Sequence, residues 1–280
     1  MLSSIVKRYF KDRELRRLLT IRASELVAVV IPVYKTKMND DEKVAFLQGM
    51  EVLKNYPIIL VAPYNLCLDA YTSDSPNLQI LRFEPYYFDG IAGYNKLTTD
   101  YKFYSSFIHY KYILIYQLDC YVFKDELAYW CKQGFDYIGA PWMGKYSQVD
   151  LYNQQKQRLT GNDNFIKRQI RKRLATKFDD VGNGGLSLRK VKKFLLILKV
   201  FEYSIKKWPS YEDLFYSTVV PNLDITFKLP DKITAMHFAI ETEPESCYKM
   251  LGENLPFGCH AWKKYSPEFW QKFINKKVEV

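Results

Sequence analysis

The sequence predicts an α/β fold built on a largely parallel β-sheet, and three observations carry that expectation. Short runs of β-branched and other apolar residues recur along the first half of the chain, each reading as a strand covered on both faces. Segments with apolar residues at helical spacing separate them, the alternation expected of βαβ units. Polar or turn-forming residues follow the runs, at the strand ends where sheets of this kind bind ligands.

Residues 1–24 stand apart from this pattern. Leu2, Ile5, Val6, Tyr9, Leu15, Leu18 and Leu19 fall near helical spacing, and Lys7, Arg8, Lys11, Arg16, Arg17 and Arg22 supply positive charge. Such a segment reads either as a basic amphipathic helix for an anionic membrane interface or as a helix packed on the main domain. Residues 26–34 form the first strand. Asn39 or Asp40 caps the next helix, which carries Phe46, Leu47, Met50 and Leu53 on one face. Pro57 stops it, and residues 58–62 and 78–83 read as the second and third strands. Leu97, Tyr101, Tyr104 and Ile108 give a helical stripe before a fourth strand over 112–118. Beyond it, Asp125 is expected to cap a short helix through Trp130, and 135–140 reads as another strand. Residues 144–180 form a polar, basic excursion, of which 165–174 has the character of a basic helix. Residues 182–188 then lead into a helix bearing Val191, Phe194, Leu195 and Leu198. The whole reads as a basic N-terminal segment (1–24) and one domain (25–280), with a nucleotide-binding half over 25–123 and an acceptor half over 124–280.

Bulk properties narrow the partners. A net charge of +10 and a pI near 9.1 favour polyanions: nucleic acid, an anionic membrane surface or a phosphorylated substrate. The 23 tyrosines suit either a sugar-holding site, through their apolar faces and polar tips, or simply a Tyr-rich core and surface. Five cysteines without a CxxC pair indicate neither a zinc site nor a disulfide framework and point to a reducing compartment. No apolar run approaches the ~20 residues that span a bilayer, and no signal peptide is evident. A cytoplasmic protein, peripheral on the inner face of the cell membrane at most, is expected. The GxGxxG, Walker A, HExxH and GxSxG patterns are absent, which disfavours a dehydrogenase, a P-loop enzyme, a zinc protease and a typical hydrolase.

The strand-end rule selects residues 32–35, 63–65 and 119–121 as candidates. Asp119 ends an apolar strand, where a carboxylate is costly unless it is hydrogen-bonded or holds a cation; it reads either as a cation anchor or as a cap on the next turn. Gly182-Asn183-Gly184-Gly185 permits close approach of backbone to a ligand, or forms a glycine-rich turn. Glu212-Asp213 supplies either helix-capping carboxylates or a general base for an acceptor hydroxyl. His260 lies in an aromatic, glycine-containing loop; His237 reads as a core histidine and His109 as a helix-surface one.

Taken in order, several short motifs resemble one family. They are Val29-Val30-Ile31-Pro32-Val33-Tyr34, Tyr94-Asn95-Lys96-Leu97, Tyr116-Gln117-Leu118-Asp119, Asp136-Tyr137-Ile138-Gly139-Ala140-Pro141-Trp142, Gly182 to Arg189, Glu212-Asp213 and Pro256 to Trp262. Across residues 26–265 the chain resembles bacterial GT-A-like glycosyltransferases of capsule and surface-polysaccharide gene clusters, a group long known as a domain of unknown function.

The resemblance implies a GT-A-like fold with a Rossmann-like nucleotide half. It implies transfer of a sugar from a nucleoside-diphosphate sugar, in the first instance a UDP-sugar, to a hydroxyl of a glycan or polyprenyl-diphosphate-linked acceptor, with inversion. In that reading Pro32, Val33, Tyr34, Lys35 and Asn65 frame the nucleoside. Tyr94, Asn95 and Lys96 approach the donor, with Tyr121 beside it. Trp142, Gly184 and Gly185 shape the sugar pocket. Asp213 or Glu212 is the general base. Asp119 stands in the place of an Asp-x-Asp motif, and His260 resembles the late histidine that completes a metal or diphosphate site, so Mn²⁺ or Mg²⁺ is the implied cofactor. The chain departs from the pattern at Tyr121, where a second Asp is expected. A metal-independent enzyme that stabilises the diphosphate with Lys96 and basic loop residues therefore stays open. The rival readings are a sugar-phosphate nucleotidyltransferase, which lacks its glycine-rich phosphate loop here, and a basic nucleic-acid-binding protein, which lacks a recognition motif.

Overall fold

The computed structural model describes residues 12–73, 78–160 and 179–274. Its centre is a six-stranded sheet in the order β3-β2-β1-β4-β7-β6. The strands are β1 (Glu25–Pro32), β2 (Ile58–Pro63), β3 (Gln79–Phe83), β4 (Tyr110–Tyr116), β6 (Tyr137–Gly139) and β7 (Leu186–Lys190). The first four run parallel, while β7 pairs antiparallel with both β4 and β6. A smaller three-stranded sheet, β5-β9-β8, is made of β5 (Tyr121–Val122), β8 (Ala239–Ile240) and β9 (Gly258–Cys259).

The strand periodicity of two explains the layers. Ala28 and Val30 of β1 join Ile113 and Ile115 of β4 in one apolar cluster, which holds Phe103, Tyr104 and Phe194. Val27, Val29 and Ile31 join Leu114 and Tyr116 in the cluster on the opposite face. Covering both faces is what makes these strands continuous apolar runs. Each fully buried aliphatic side chain contributes about 1.5–3 kcal/mol. A third cluster, with Trp262, Trp270 and Met236, backs the small sheet.

Several local expectations are corrected. The stripe from Leu97 to Ile108 is two helices, Gly90–Thr98 and Tyr101–Ser105, because Asp100 caps the second by accepting from the Lys102 amide (2.7 Å). Asn39 is the cap of helix Asp40–Val52, in a reciprocal capping box with Glu42; Leu47 lies outside its buried face. Asp125 accepts from the Tyr56 hydroxyl (2.8 Å) rather than capping, and the helix Leu127–Gln133 starts after Glu126. His237 is exposed, because on helix Lys232–Phe238 it is Ala235, Met236 and Phe238 that turn inward. His109 is exposed too, in a turn before β4. Part of the polar excursion is the helix Val149–Thr160; the basic stretch 165–174 lies outside the described residues.

Of the N-terminal segment, helix Arg13–Thr20 is described, while 1–11 lies outside. Its Leu15 and Leu18 are buried in the first cluster, and Asp12 caps it. Lys192 donates to the Leu19 carbonyl (2.8 Å), and Lys199 sits 3.6 Å from Asp12. That helix packs on the domain and turns Arg13, Arg16 and Arg17 outward. Among the described residues no helix is long and apolar enough to cross a membrane.

Candidate active-site cleft

Strand order reverses between β1 and β4, since the chain proceeds from β1 outward to β3 and then returns to the other side of β1. At such a switch point the two neighbouring connections diverge and leave a crevice at the strands' carboxyl ends. Pro32, Val33, Tyr34 and Lys35 follow β1 into it, and Gln117, Leu118 and Asp119 follow β4. The cleft measures about 770 Å³.

Antiparallel pairing adds the second chain segment. Leu186 of β7 lies opposite Tyr116, so the loop before β7 must run beside the residues after β4. The Gln117 amide donates to the Gly185 carbonyl at 3.0 Å. Asn183, Gly184 and Gly185 thereby line the same cleft as Asp119.

The small sheet adds the third. Tyr121 pairs with Cys259, which brings His260 alongside Asp119. Ile240 pairs with Cys259, and the His260 amide donates to the Ile240 carbonyl (3.0 Å), which brings Glu241 to the other side of the ring. His260 Nε2 stands 3.2 Å from Asp119 Oδ1, and Nδ1 stands 3.1 Å from Glu241 Oε1. Burial alone would lower the His260 pKa, but the two flanking carboxylates outweigh it and push it up to about 10. Burial likewise works against the Asp119 charge; the imidazole, with help from Lys264, holds that carboxyl below its ordinary range.

Two glycines make this arrangement possible. A Cβ on Gly185 would stand 2.1 Å from His260 Nε2, and one on Gly184 would stand 2.9 Å from both Arg189 and Glu212. The close approach they permit is therefore to the protein's own side chains, in addition to whatever the cleft holds. Beneath the loop, Arg189 is fully buried among Tyr137, Phe194 and Tyr216. It donates to Glu212 (2.8 Å), the Gly184 carbonyl (3.2 Å) and the hydroxyls of Ser187 and Tyr104 (2.9 Å each). A buried guanidinium needs such a set of acceptors.

Glu212 is thus committed to an internal ion pair, whereas Asp213 beside it has no cationic partner among the described residues. Asp213 accepts from the backbone amides of Leu214 (2.7 Å) and Gly184 (3.2 Å). Burial, and then the Glu212 charge, push its pKa up to about 7. A carboxyl group poised there can take a proton from a hydroxyl at neutral pH and release it again.

Asp119, Cys120 and His260 each offer a ligand atom, all within 4.8 Å of one another. The Cys120 thiol donates to the Gly185 carbonyl, and burial pushes its pKa well above the ordinary thiol range. Mg²⁺ and Mn²⁺ prefer the oxygen and imidazole donors of this set, Asp119 and His260, to the thiol. His260 Nε2 is buried and faces Asp119 Oδ1 at 3.2 Å, with no other hydrogen-bond partner among the described residues. A buried imidazole nitrogen beside a carboxylate oxygen is a donor pair that fits a divalent cation.

The cleft gathers Pro32, Val33, Tyr34, Lys35, Tyr94, Asn95, Asp119, Trp142, Gly184, Gly185, Glu212, Asp213 and His260 from the sequence-derived set. Lys35 faces it while paired to Glu42 at 2.6 Å. Asn65, Lys96 and Tyr121 lie outside its lining. Asn65 is exposed after β2, one strand away from the switch point. Lys96 is exposed on helix Gly90–Thr98, whose Ile91, Tyr94 and Asn95 form the cleft-facing side. The Tyr121 ring packs on Phe123 in the third apolar cluster. Glu241, Gln117 and Lys264 line the cleft and were missed by sequence reasoning. Lys264 carried a signal, four residues after His260; Glu241 follows a two-residue strand too short to show any periodicity.

Comparison with solved structures places this fold among the glycosyltransferases. An active-site mutant of LgtC, a galactosyltransferase, superposes with a TM-score of 0.51 at 13% identity, over 90% of this chain and 97% of that one. WbbM, a bifunctional glycosyltransferase, matches with a TM-score of 0.50 at 13% identity over 92% of this chain. The present chain spans about half of WbbM, at 50% of its length. The likeness is one of fold, which is GT-A-like. Comparison with curated proteins found no match. Residues 77–260, well over half of the chain, match the model of the family described as Protein of unknown function (DUF5672), and the chain belongs to that family.

Proposed function

We propose that the protein is a glycosyltransferase that moves a sugar from a nucleoside-diphosphate sugar, a UDP-sugar in the first instance, to an acceptor hydroxyl with inversion. The observation that carries this reading is the pairing, in one cleft of a GT-A-like fold, of the Asp119–His260 end with the poised carboxyl group of Asp213. Residues 32–35 take the nucleoside end. Asp119 and His260 would hold Mn²⁺ or Mg²⁺, and Lys264 adds positive charge beside the diphosphate. A bound divalent cation would neutralise the departing diphosphate. The acceptor oxygen attacks the anomeric carbon, the bond from that carbon to the diphosphate oxygen breaks, and the acceptor proton passes to Asp213. Arg189 and Glu212 keep Asp213 and Gly184 in place without touching substrate.

The acceptor fits a glycan or a polyprenyl-diphosphate-linked glycan of surface-polysaccharide synthesis. The outward Arg13, Arg16 and Arg17 suit work beside an anionic membrane. Thermal shift measurements with UDP, GDP and CMP, each with and without Mn²⁺ and beside a short oligonucleotide, test the reading. We expect a nucleoside diphosphate to stabilise the protein more with Mn²⁺ than without. Stabilisation by the oligonucleotide alone would overturn the proposal in favour of a nucleic-acid-binding protein.

A further inference from the structure

We propose that Glu241 is a positioning residue that, together with Asn183, fixes the His260 imidazole so that Nε2 is the nitrogen turned toward Asp119 and offered to a cation there. The inference rests on the cation site read above and deepens it.

The hydrogen-bond inventory settles the ring's orientation. An ionised carboxylate can only accept, so the 3.1 Å contact between Glu241 Oε1 and His260 Nδ1 requires the proton on Nδ1. Nε2 is then the ring nitrogen that faces Asp119, at 3.2 Å, and a cation bound there would take the place of its proton while Nδ1–H stays on Glu241. Glu241 is itself held. It is 6% exposed, and Asn183 Nδ2 donates to the same Oε1 at 3.2 Å. Asn183 Oδ1 in turn accepts from the Gly185 amide at 2.7 Å. The backbone pairing of β8 with β9 fixes the register of Glu241 against His260. A carboxylate behind a histidine ligand fixes its tautomer and raises its basicity.

This circuit also gives Asn183 a purpose within the glycine-rich loop. Its amide side chain joins Glu241 to the Gly185 backbone, while the adjacent Gly184 amide donates to Asp213. The cation end and the Asp213 end of the cleft are thus joined through one loop.

The test is Mn²⁺ binding to the full chain without donor, read from the EPR signal of the free ion, for wild type, E241A, E241Q, H260A and E241A/H260A. Outer partners of metal-bound histidines are worth about 10- to 100-fold in metal affinity, and E241A should fall by that factor. E241Q keeps an acceptor oxygen behind Nδ1 and should lose less. In the H260A background the E241A change should cost nothing further. An unchanged affinity in E241A beside a weakened H260A would overturn the inference and leave the cation site standing. An E241A loss repeated in full on H260A would also overturn it, since Glu241 would then act other than through the ring. A wild type that binds no Mn²⁺ would sink both the inference and the cation site. Ring ¹⁵N NMR of wild type with Mg²⁺ serves as a second measurement that needs no variant to fold. Protonated Nδ1 with an unprotonated Nε2 is expected, and an unprotonated Nδ1 contradicts the proposal.

Discussion

At the scale of single residues, the two adjacent carboxylates Glu212 and Asp213 show how environment divides roles. Glu212 is bound to a guanidinium with no solvent exposure, whereas Asp213 accepts from two backbone amides. Burial lifts the Asp213 pKa to about 7 from an ordinary 3.8. A carboxyl group with a higher pKa folded than unfolded binds more protons in the native state across that window. Its stabilising contribution is complete below the unfolded value and is lost as pH rises through about 7. Urea unfolding between pH 4 and 8 should therefore show stability falling by up to about 1.4 kcal/mol per pH unit from this group, and D213N should lack that slope. The same slope in D213N would mean that Asp213 is not the group responsible. The sequence displayed the acidic pair but could not assign it, because the assignment depends on Arg189, 23 residues away in the chain and in contact only through folding.

At the scale of elements, the cleft is made by pairing, and pairing was unevenly legible. Strands β1, β2 and β4 are long enough for their apolar runs to be read directly, and with them Pro32 to Lys35 and Asp119. Strands β5, β8 and β9 have two residues each, which no periodicity can reveal. Yet that small sheet is what carries His260 to Asp119 and Glu241 to His260. His260 could be reached through family resemblance, whereas Glu241 could not be reached at all. The glycine-rich loop was visible as a motif, but its reason lay in space: the His260 ring occupies the position of a Gly185 Cβ. Replacing Gly185 with Ala should displace the ring, with a stability cost of about 1–3 kcal/mol by chemical denaturation. The same substitution in H260A should cost much less, because the clashing atoms are gone. Equal costs in both backgrounds would show that the glycine serves the backbone alone.

At the scale of the whole molecule, the parallel β3-β2-β1-β4 half follows from alternating strands and helices, and the sequence pattern predicts it. The antiparallel β7-β6 extension does not follow from that alternation. It depends on the chain returning after the 144–180 excursion to pair with β4. Of the N-terminal segment, helix Arg13–Thr20 packs Leu15 and Leu18 on the domain and turns its arginines outward, and residues 1–11 lie outside the described residues. The cleft gathers Asp119, His260 and Asp213, the residues to which the proposed transfer assigns the cation and the acceptor proton. The most direct test of glycosyl transfer is release of nucleoside diphosphate from a panel of UDP-, GDP- and other nucleotide sugars in the presence of Mn²⁺, with D119N and D213N alongside wild type. Release from at least one sugar nucleotide is expected of wild type, with a loss of about 100-fold or more in each variant. Wild-type inactivity across the panel, or variants as active as wild type, would contradict the proposed transfer.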